Sequence, residues 1–154
     1  ETTAERFKPN PLQPDEVVHK EMVVFSGDYV RIEEDGLLYF VGRKDELIKC
    51  AGNRVSPTEV EEVIYALPEI EDVMVLGIAH ETYGHAIHAI FSTKSENGFD
   101  ESAILKHCRK ELPPYMVPHS FSQREKLPRN ANGKLDRSKI RDEYMQESSR
   151  AGEK

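Results

Sequence analysis

The residues whose types and spacing suggest chemistry are cations set beside glycines. Gly42-Arg43-Lys44-Asp45-Glu46-Leu47-Ile48-Lys49-Cys50-Ala51-Gly52-Asn53-Arg54-Val55 places four cations and two glycines around a short apolar strand. A pliable loop of this kind could seek an anion, although by spacing alone a solvent-exposed connector is the simpler reading. The second such loop is Leu127-Pro128-Arg129-Asn130-Ala131-Asn132-Gly133-Lys134-Leu135-Asp136-Arg137. Its Asn-Gly pair predicts a tight turn that aims Lys134 outward just before a helix cap. A lysine held on a turn presents a point charge to a phosphate or carboxylate. Exposed loop lysines are nevertheless common.

Self-contained catalytic kits are missing. His80 and His85 are five residues apart, which on a helix swings the second roughly 140° from the first, so they miss the zinc-protease spacing. With a glycine between them in what reads as a β–β connection, His80, His85 and also His88 are expected to be ordinary loop and strand-face residues, and no metal is assigned. Gly133-Lys134 lacks the upstream glycine and the following Ser or Thr of a phosphate loop. No serine sits in a nucleophile elbow. Cys50 and Cys108 have neither zinc-knuckle nor redox spacing, so a reduced, cytoplasmic setting is expected and neither is read as reactive.

The 154 residues include 21 basic and 28 acidic side chains, for a net charge of −7, and 38% are hydrophobic. That suits one domain with a real core. Residues 124–141 hold seven basic and two acidic residues, +5, leaving −12 for the rest. One basic segment on an acidic protein fits a local site for a small anion better than a nucleic-acid footprint, and a solvated helix start better still. No apolar run of eighteen residues and no charged-then-apolar leader is present, so neither a membrane span nor a signal peptide is expected. The chain opens at Glu1, and its first stretch, with Pro9, Pro11 and Pro14, shows no helical or strand period, so a piece of something longer is expected.

The elements that must position these loops read as follows. Residues 21–41 predict a hairpin turning at Glu34-Asp35-Gly36. Ser56-Pro57-Thr58-Glu59 predicts a capping box at the start of a helix whose stripe is Val60, Val63, Ile64 and Leu67, ended by Pro68. Val73-Met74-Val75-Leu76 and 86–92 predict antiparallel strands. Asp100 predicts the cap of a second helix with Ile104, Leu105, Cys108 and Leu112 on its buried face, stopped by Pro113-Pro114. Asp136 predicts the cap of a third, with Leu135 and Ile140 as a hydrophobic staple and Tyr144 continuing the face. The expected fold is α+β, a small mixed or antiparallel sheet with an N-terminal β-hairpin and about three helices packed on it. A disordered tail is expected at 147–154.

Four stretches in register change the functional reading. Ser26-Gly27-Asp28-Tyr29-Val30-Arg31, Asp35-Gly36 through Lys49, Val55-Ser56-Pro57-Thr58-Glu59-Val60-Glu61 and Pro128-Arg129-Asn130-Ala131-Asn132-Gly133-Lys134 closely resemble the carboxy-terminal domain of the AMP-forming adenylating enzymes. That superfamily comprises acyl-CoA synthetases, adenylation domains of nonribosomal peptide synthetases, and luciferases. The resemblance runs from about residue 21 to about 145. It implies that 1–41 ends a large adenylating domain or forms a linker, and that 42–146 is the mobile carboxy-terminal domain.

The resemblance also implies two half-reactions. A carboxylate attacks the α-phosphate of Mg-ATP to give an acyl-adenylate and pyrophosphate, and a thiol then displaces AMP. The carboxy-terminal domain turns opposite faces to one active site between the steps. Carried over by position, Asp28 would bind the ribose hydroxyls with Arg43 beside it, Asp45 would be the hinge, and Lys134 the adenylation lysine. Lys49 would serve the thioester-forming orientation, and Gly52 the loop that lets a pantetheine arm approach. ATP, AMP and CoA are implied as substrates, with Mg held mainly by a large amino-terminal domain acting in cis. Ile48 through Gly52 and Ser56-Pro57 look more like acyl-CoA ligases than peptide synthetases, while His85 has no assigned role. Alone, the chain is expected to be inactive. The competing expectations are a free-standing module that docks on a separate adenylating core or a carrier protein, a peptide-synthetase adenylation domain, and an unrelated α+β binding domain. The acid substrate is not expected to be legible, because its pocket belongs to the large domain.

Overall fold

The computed structural model describes residues 6–44, 46–94 and 100–151. The chain divides into two compact units between Asp45 and Glu46.

The first unit is built from two antiparallel ribbons. β1 (Phe7–Pro9) pairs with β2 (Met22–Val24), Phe7 opposite Val24. The opening stretch therefore does hold a strand, but three residues ending in proline are too few to show a period. β3 (Asp28–Ile32) and β4 (Leu38–Arg43) form the expected hairpin, with Asp28 opposite Arg43 and an irregularity between Tyr29 and Val30. Its turn closes by a bond from Gly36 N to the Glu33 carbonyl (2.9 Å) and one from Leu37 N to Asp35 Oδ1 (2.9 Å). Gly36 sits at φ +76°, the left-handed region that glycine enters without a Cβ clash.

The second unit is a five-stranded sheet with helices on both faces. β5 (Ile48–Cys50) and β6 (Asn53–Val55) form a hairpin, and long β7 (Ile70–His80) and β8 (Gly84–Thr93) form another; the order is β6-β5-β8-β7. β9 (Ser120–Gln123) lies parallel to β8 along His88–Phe91. Because both faces are covered, β7 and β8 read as near-continuous apolar runs rather than alternating ones. Val73, Val75, Ile87, Ala89 and Phe91 pack in one buried cluster with α1 (Pro57–Tyr65) and α2 (Glu101–Glu111). Met74, Leu76 and Ile90 pack in another with Leu127 and with Ile140 of α3 (Arg137–Ala151).

The helix starts differ in mechanism. At α2, Asp100 Oδ1 accepts the Ser102 amide (2.9 Å), as expected of a cap. At α3, Asp136 Oδ1 accepts the Lys139 amide (3.1 Å), and Leu135, Ile140 and Tyr144 share the second cluster, which is the expected staple. At α1 the capping box does not form. Ser56 is buried and its side chain makes no cap bond, so Pro57 at the first helical position, with its preset φ, and the buried stripe of Val60 and Ile64 start the helix instead. Where the sequence places a tail from Glu147, α3 continues to Ala151. Arg124, beside β9, reaches both Glu143 (3.0 Å) and Glu147 (2.7 Å) and holds that stretch.

Candidate functional site

Lys134 stands on a turn fastened mainly by its own backbone. Gly133 N bonds to the Asn130 carbonyl (2.9 Å) and Asn130 N to the Lys134 carbonyl (2.8 Å). Asn130 Oδ1 accepts the amides of both Asn132 (3.0 Å) and Lys134 (3.1 Å). Gly133 takes φ +76°, with nothing within 4 Å of where a Cβ would stand, so glycine is required for conformation and not for space. Asn130 thus serves as the structural acceptor while the lysine side chain remains exposed.

Arginines tie this turn to the sheet. Arg129 donates to the Gly133 carbonyl (2.6 Å) and pairs with Asp72 on β7. Arg137 grips Glu61 of α1 through both terminal nitrogens (3.1 and 2.7 Å), and Glu61 Oε1 also accepts the Val75 amide of β7 (2.7 Å). Burial opposes the charge of Arg137, but its bonds and attraction to Glu61, with Glu46 adding to them, hold its pKa above the ordinary value. Arg124, Arg129 and Arg137 are thus all committed to internal carboxylates. The +5 counted over 124–141 overstates the charge available to a ligand, and Lys134 is one of the exposed cations that remain.

Lys49 is the exposed middle residue of β5, opposite Arg54. The hairpin tip, Ala51-Gly52, takes φ +48° and +78°, consecutive left-handed residues that match a two-residue turn to the strand twist. Ala51 N bonds to the Tyr83 carbonyl (3.0 Å), and Cys50 pairs with Gly84, so the tip is fixed to the β7–β8 turn. That turn is lined by rings: His80 stacks on Tyr83 (4.7 Å), which tilts against His119 (5.1 Å).

The two lysines are anchored far apart. Lys49's hairpin joins β8 at Gly84, which faces His80 at one end of β7, whereas the Lys134 turn is tied to Asp72 near the other end. Eight residues of strand separate those anchors, about 26 Å. The strand order also puts them on opposite sides of β8.

In the first unit, Asp28 and Arg43 face each other across β3 and β4, and a Cβ on Gly27 would stand 3.8 Å from the Arg43 guanidinium. Asp45 lies outside the described residues. Among the described residues no three His, Cys, Asp or Glu side chains converge on one point. Among the described residues no helix is long and apolar enough to cross a membrane. Both cysteines are free and buried, and burial raises their pKa, that of Cys108 to about 11.

The family model for the AMP-binding enzyme C-terminal domain matches residues 59–134 and ends on Lys134. Residues 59–134 are an AMP-binding enzyme C-terminal domain. The chain is 38% identical over 117 residues to the 2-succinylbenzoate–CoA ligase of Geobacillus kaustophilus, covering 76% of the chain and 24% of the relative. Over 141 residues it is 35% identical to tyrocidine synthase 3 of Brevibacillus parabrevis, covering 91% of the chain and 2% of the relative. The o-succinylbenzoate CoA synthetase of Bacillus subtilis, solved with the acyl-adenylate OSB-AMP, superimposes with a TM-score of 0.70 at 28% identity, over 76% of this chain and 24% of that one. The chain therefore spans about a quarter of the CoA-ligase relatives, and a far smaller share of the peptide synthetase.

Several residues that tie the Lys134 turn and the helix after it to the sheet escape sequence reading. Asp72, Glu61, Arg129 and Arg137 act in pairs separated by 57 and 76 residues, so no local spacing announces them. His88 stands on β8 and is buried: Nδ1 lies 2.7 Å from Ser120 Oγ, and the ring lies 4.5 Å from that of Tyr144. Burial lowers its pKa to about 4.

Proposed function

We propose that the chain is the mobile carboxy-terminal domain of an AMP-forming acyl-CoA ligase of the cytoplasm, an acid–thiol ligase whose large amino-terminal domain acts in cis. In the first half-reaction a carboxylate oxygen of the acid attacks the α-phosphorus of ATP, and pyrophosphate leaves. In the second, the thiolate of CoA attacks the acyl carbon, and AMP leaves. Mg accompanies ATP and is held by the large domain.

The observation that carries this reading is the mounting of Lys134. It ends the family match, on a turn locked by its own asparagine and glycine, with its ammonium exposed. An ammonium placed between two anions lowers the cost of bringing the carboxylate to the phosphate and is needed most where charge develops. Lys49, at the opposite end of the β7–β8 hairpin, serves the thioester orientation, with Gly52 leaving room for the pantetheine arm. Anchors about 26 Å apart support the reading that one active site meets the two lysines by rotation of the domain. Asp45 is the hinge. Asp28 binds the ribose hydroxyls as an ionised acceptor, and the cross-strand position of Arg43 supports a role beside it.

In the full-length enzyme, Lys134→Ala is expected to lower pyrophosphate exchange about 100- to 1,000-fold. Thioester formation from preformed acyl-adenylate should stay within about twofold, since Lys134 has no part in that step. Equal loss of both half-reactions would overturn the assignment of Lys134. The isolated chain is expected to show no exchange.

A second reading, a peptide-synthetase adenylation domain, is favoured by the 35% identity to tyrocidine synthase 3. Its acceptor would be a carrier-protein pantetheine rather than free CoA. Offering both thiols to the preformed adenylate separates the two readings.

A further inference from the structure

The side chain of Lys134 is exposed, so the place its ammonium reaches depends on how its turn is held. The bonds among Asn130, Asn132, Gly133 and Lys134 fix the shape of the turn and say nothing about where it sits on the sheet. Placement needs a bond that leaves the turn. The bond from Asp136 N to the Pro128 carbonyl (2.9 Å) only closes the two arms of the loop, whose base rests on the sheet through Leu127 and Leu135, and Arg137 anchors the following helix to Glu61. Nearer the lysine, Arg129 spans the gap: one guanidinium nitrogen donates to the Gly133 carbonyl (2.6 Å), the peptide that leads directly into Lys134, and the other pairs with Asp72.

Two features make this span more than a surface ion pair. Asp72 is 8% exposed and lies on β7, whose neighbours fill both apolar clusters, so the anchor is rigid. The planar fork of arginine donates in two fixed directions at once, which a flexible point charge does not. The Arg129 side chain is itself half in water, so its share of global stability is modest while its share of geometry is not.

We propose that Arg129, anchored by Asp72, is a positioning residue for adenylation: it ties the peptide that carries Lys134 to β7 and so sets where the ammonium reaches. The proposal rests on Lys134 being the adenylation lysine.

In the full-length ligase, Arg129→Gln and Asp72→Asn are each expected to lower the kcat of pyrophosphate exchange about 10- to 100-fold, because a displacement of about 1 Å is enough to do so. The double variant should be no slower than the slower single one, since both changes cut the same link. KM for ATP and thioester formation from preformed acyl-adenylate should stay within about twofold. A merely structural pair would instead depress both half-reactions together in step with the melting temperature, and that result overturns the proposal. Lys134→Ala is measured alongside. If it abolishes exchange while Arg129→Gln leaves exchange within twofold, the positioning role is wrong and the reading of Lys134 stands. If Lys134→Ala leaves exchange intact, the reading of Lys134 falls and the positioning role falls with it.

Discussion

Residues 6–44 and 46–151 both contain strands with apolar side chains, yet only the second set buries them. Every buried apolar side chain among the described residues lies at or beyond Ile48. In the β3–β4 hairpin, Ile32 is 69% and Phe40 61% exposed, whereas Ile64 and Phe91 in the second unit are 0% exposed. The difference lies in layers rather than composition. A two-stranded ribbon has two faces and no second layer to cover either, while the five-stranded sheet has α1 and α2 on one face and α3 on the other. Hydrophobic pattern makes a strand; only an apposed layer makes a core.

The largest test of that contrast is a pair of substitutions. Phe91→Ala is expected to cost about 3–5 kcal/mol in urea unfolding of the chain, because a buried ring leaves a cavity. Phe40→Ala should change stability by no more than about 0.5 kcal/mol, as exposed positions do. Comparable losses at the two sites would break the comparison.

Next in size is the acid sensitivity of the sheet. Burial holds the His88 pKa near 4, below the ordinary 6.5, so the folded state resists a proton that the unfolded chain accepts. Its contribution is complete above pH 6.5 and is lost as pH falls towards 4, a change of roughly 3 kcal/mol. His88→Leu should flatten the stability profile across that window, and an unchanged slope would assign the acid sensitivity elsewhere.

The smallest test uses two glycines with the same torsion. Gly36 and Gly133 both sit at φ +76°, so alanine strains each by about 1–2 kcal/mol. Gly133→Ala should lower global stability by about that much, since its turn is bonded to the core sheet. Gly36→Ala should instead speed amide exchange across residues 28–43 and leave global unfolding unchanged. A global loss from Gly36→Ala would show that the ribbon unfolds with the sheet.

Local chemistry was legible wherever it is complete within a few residues. Asp100 and Asp136 cap their helices, Leu135 and Ile140 staple one of them, and the Asn-Gly turn projects Lys134, all as spacing predicts. Ser56 misled because a capping box is only one way to begin a helix, and a proline at the first position needs no side-chain acceptor. The stretch from Glu147 reads as polar tail because α3 has little apolar stripe, and what holds it is Arg124, more than twenty residues earlier. The charge count over 124–141 misled for the same reason, since three of its arginines are neutralised from elsewhere in the chain.

The sequence by itself determined the main elements, the α+β class and the likeness to the AMP-binding C-terminal family, because periodicity, caps, turns and motifs are properties of neighbouring residues. Only the tertiary structure decided which face of the sheet each helix covers, that β9 runs parallel to β8, and that Lys49 and Lys134 are anchored at opposite ends of one hairpin. It also decided that Arg129 finds Asp72 and Arg137 finds Glu61. Those pairings join residues 57 and 76 positions apart, and a bond between distant residues exists only once the core has brought their elements together.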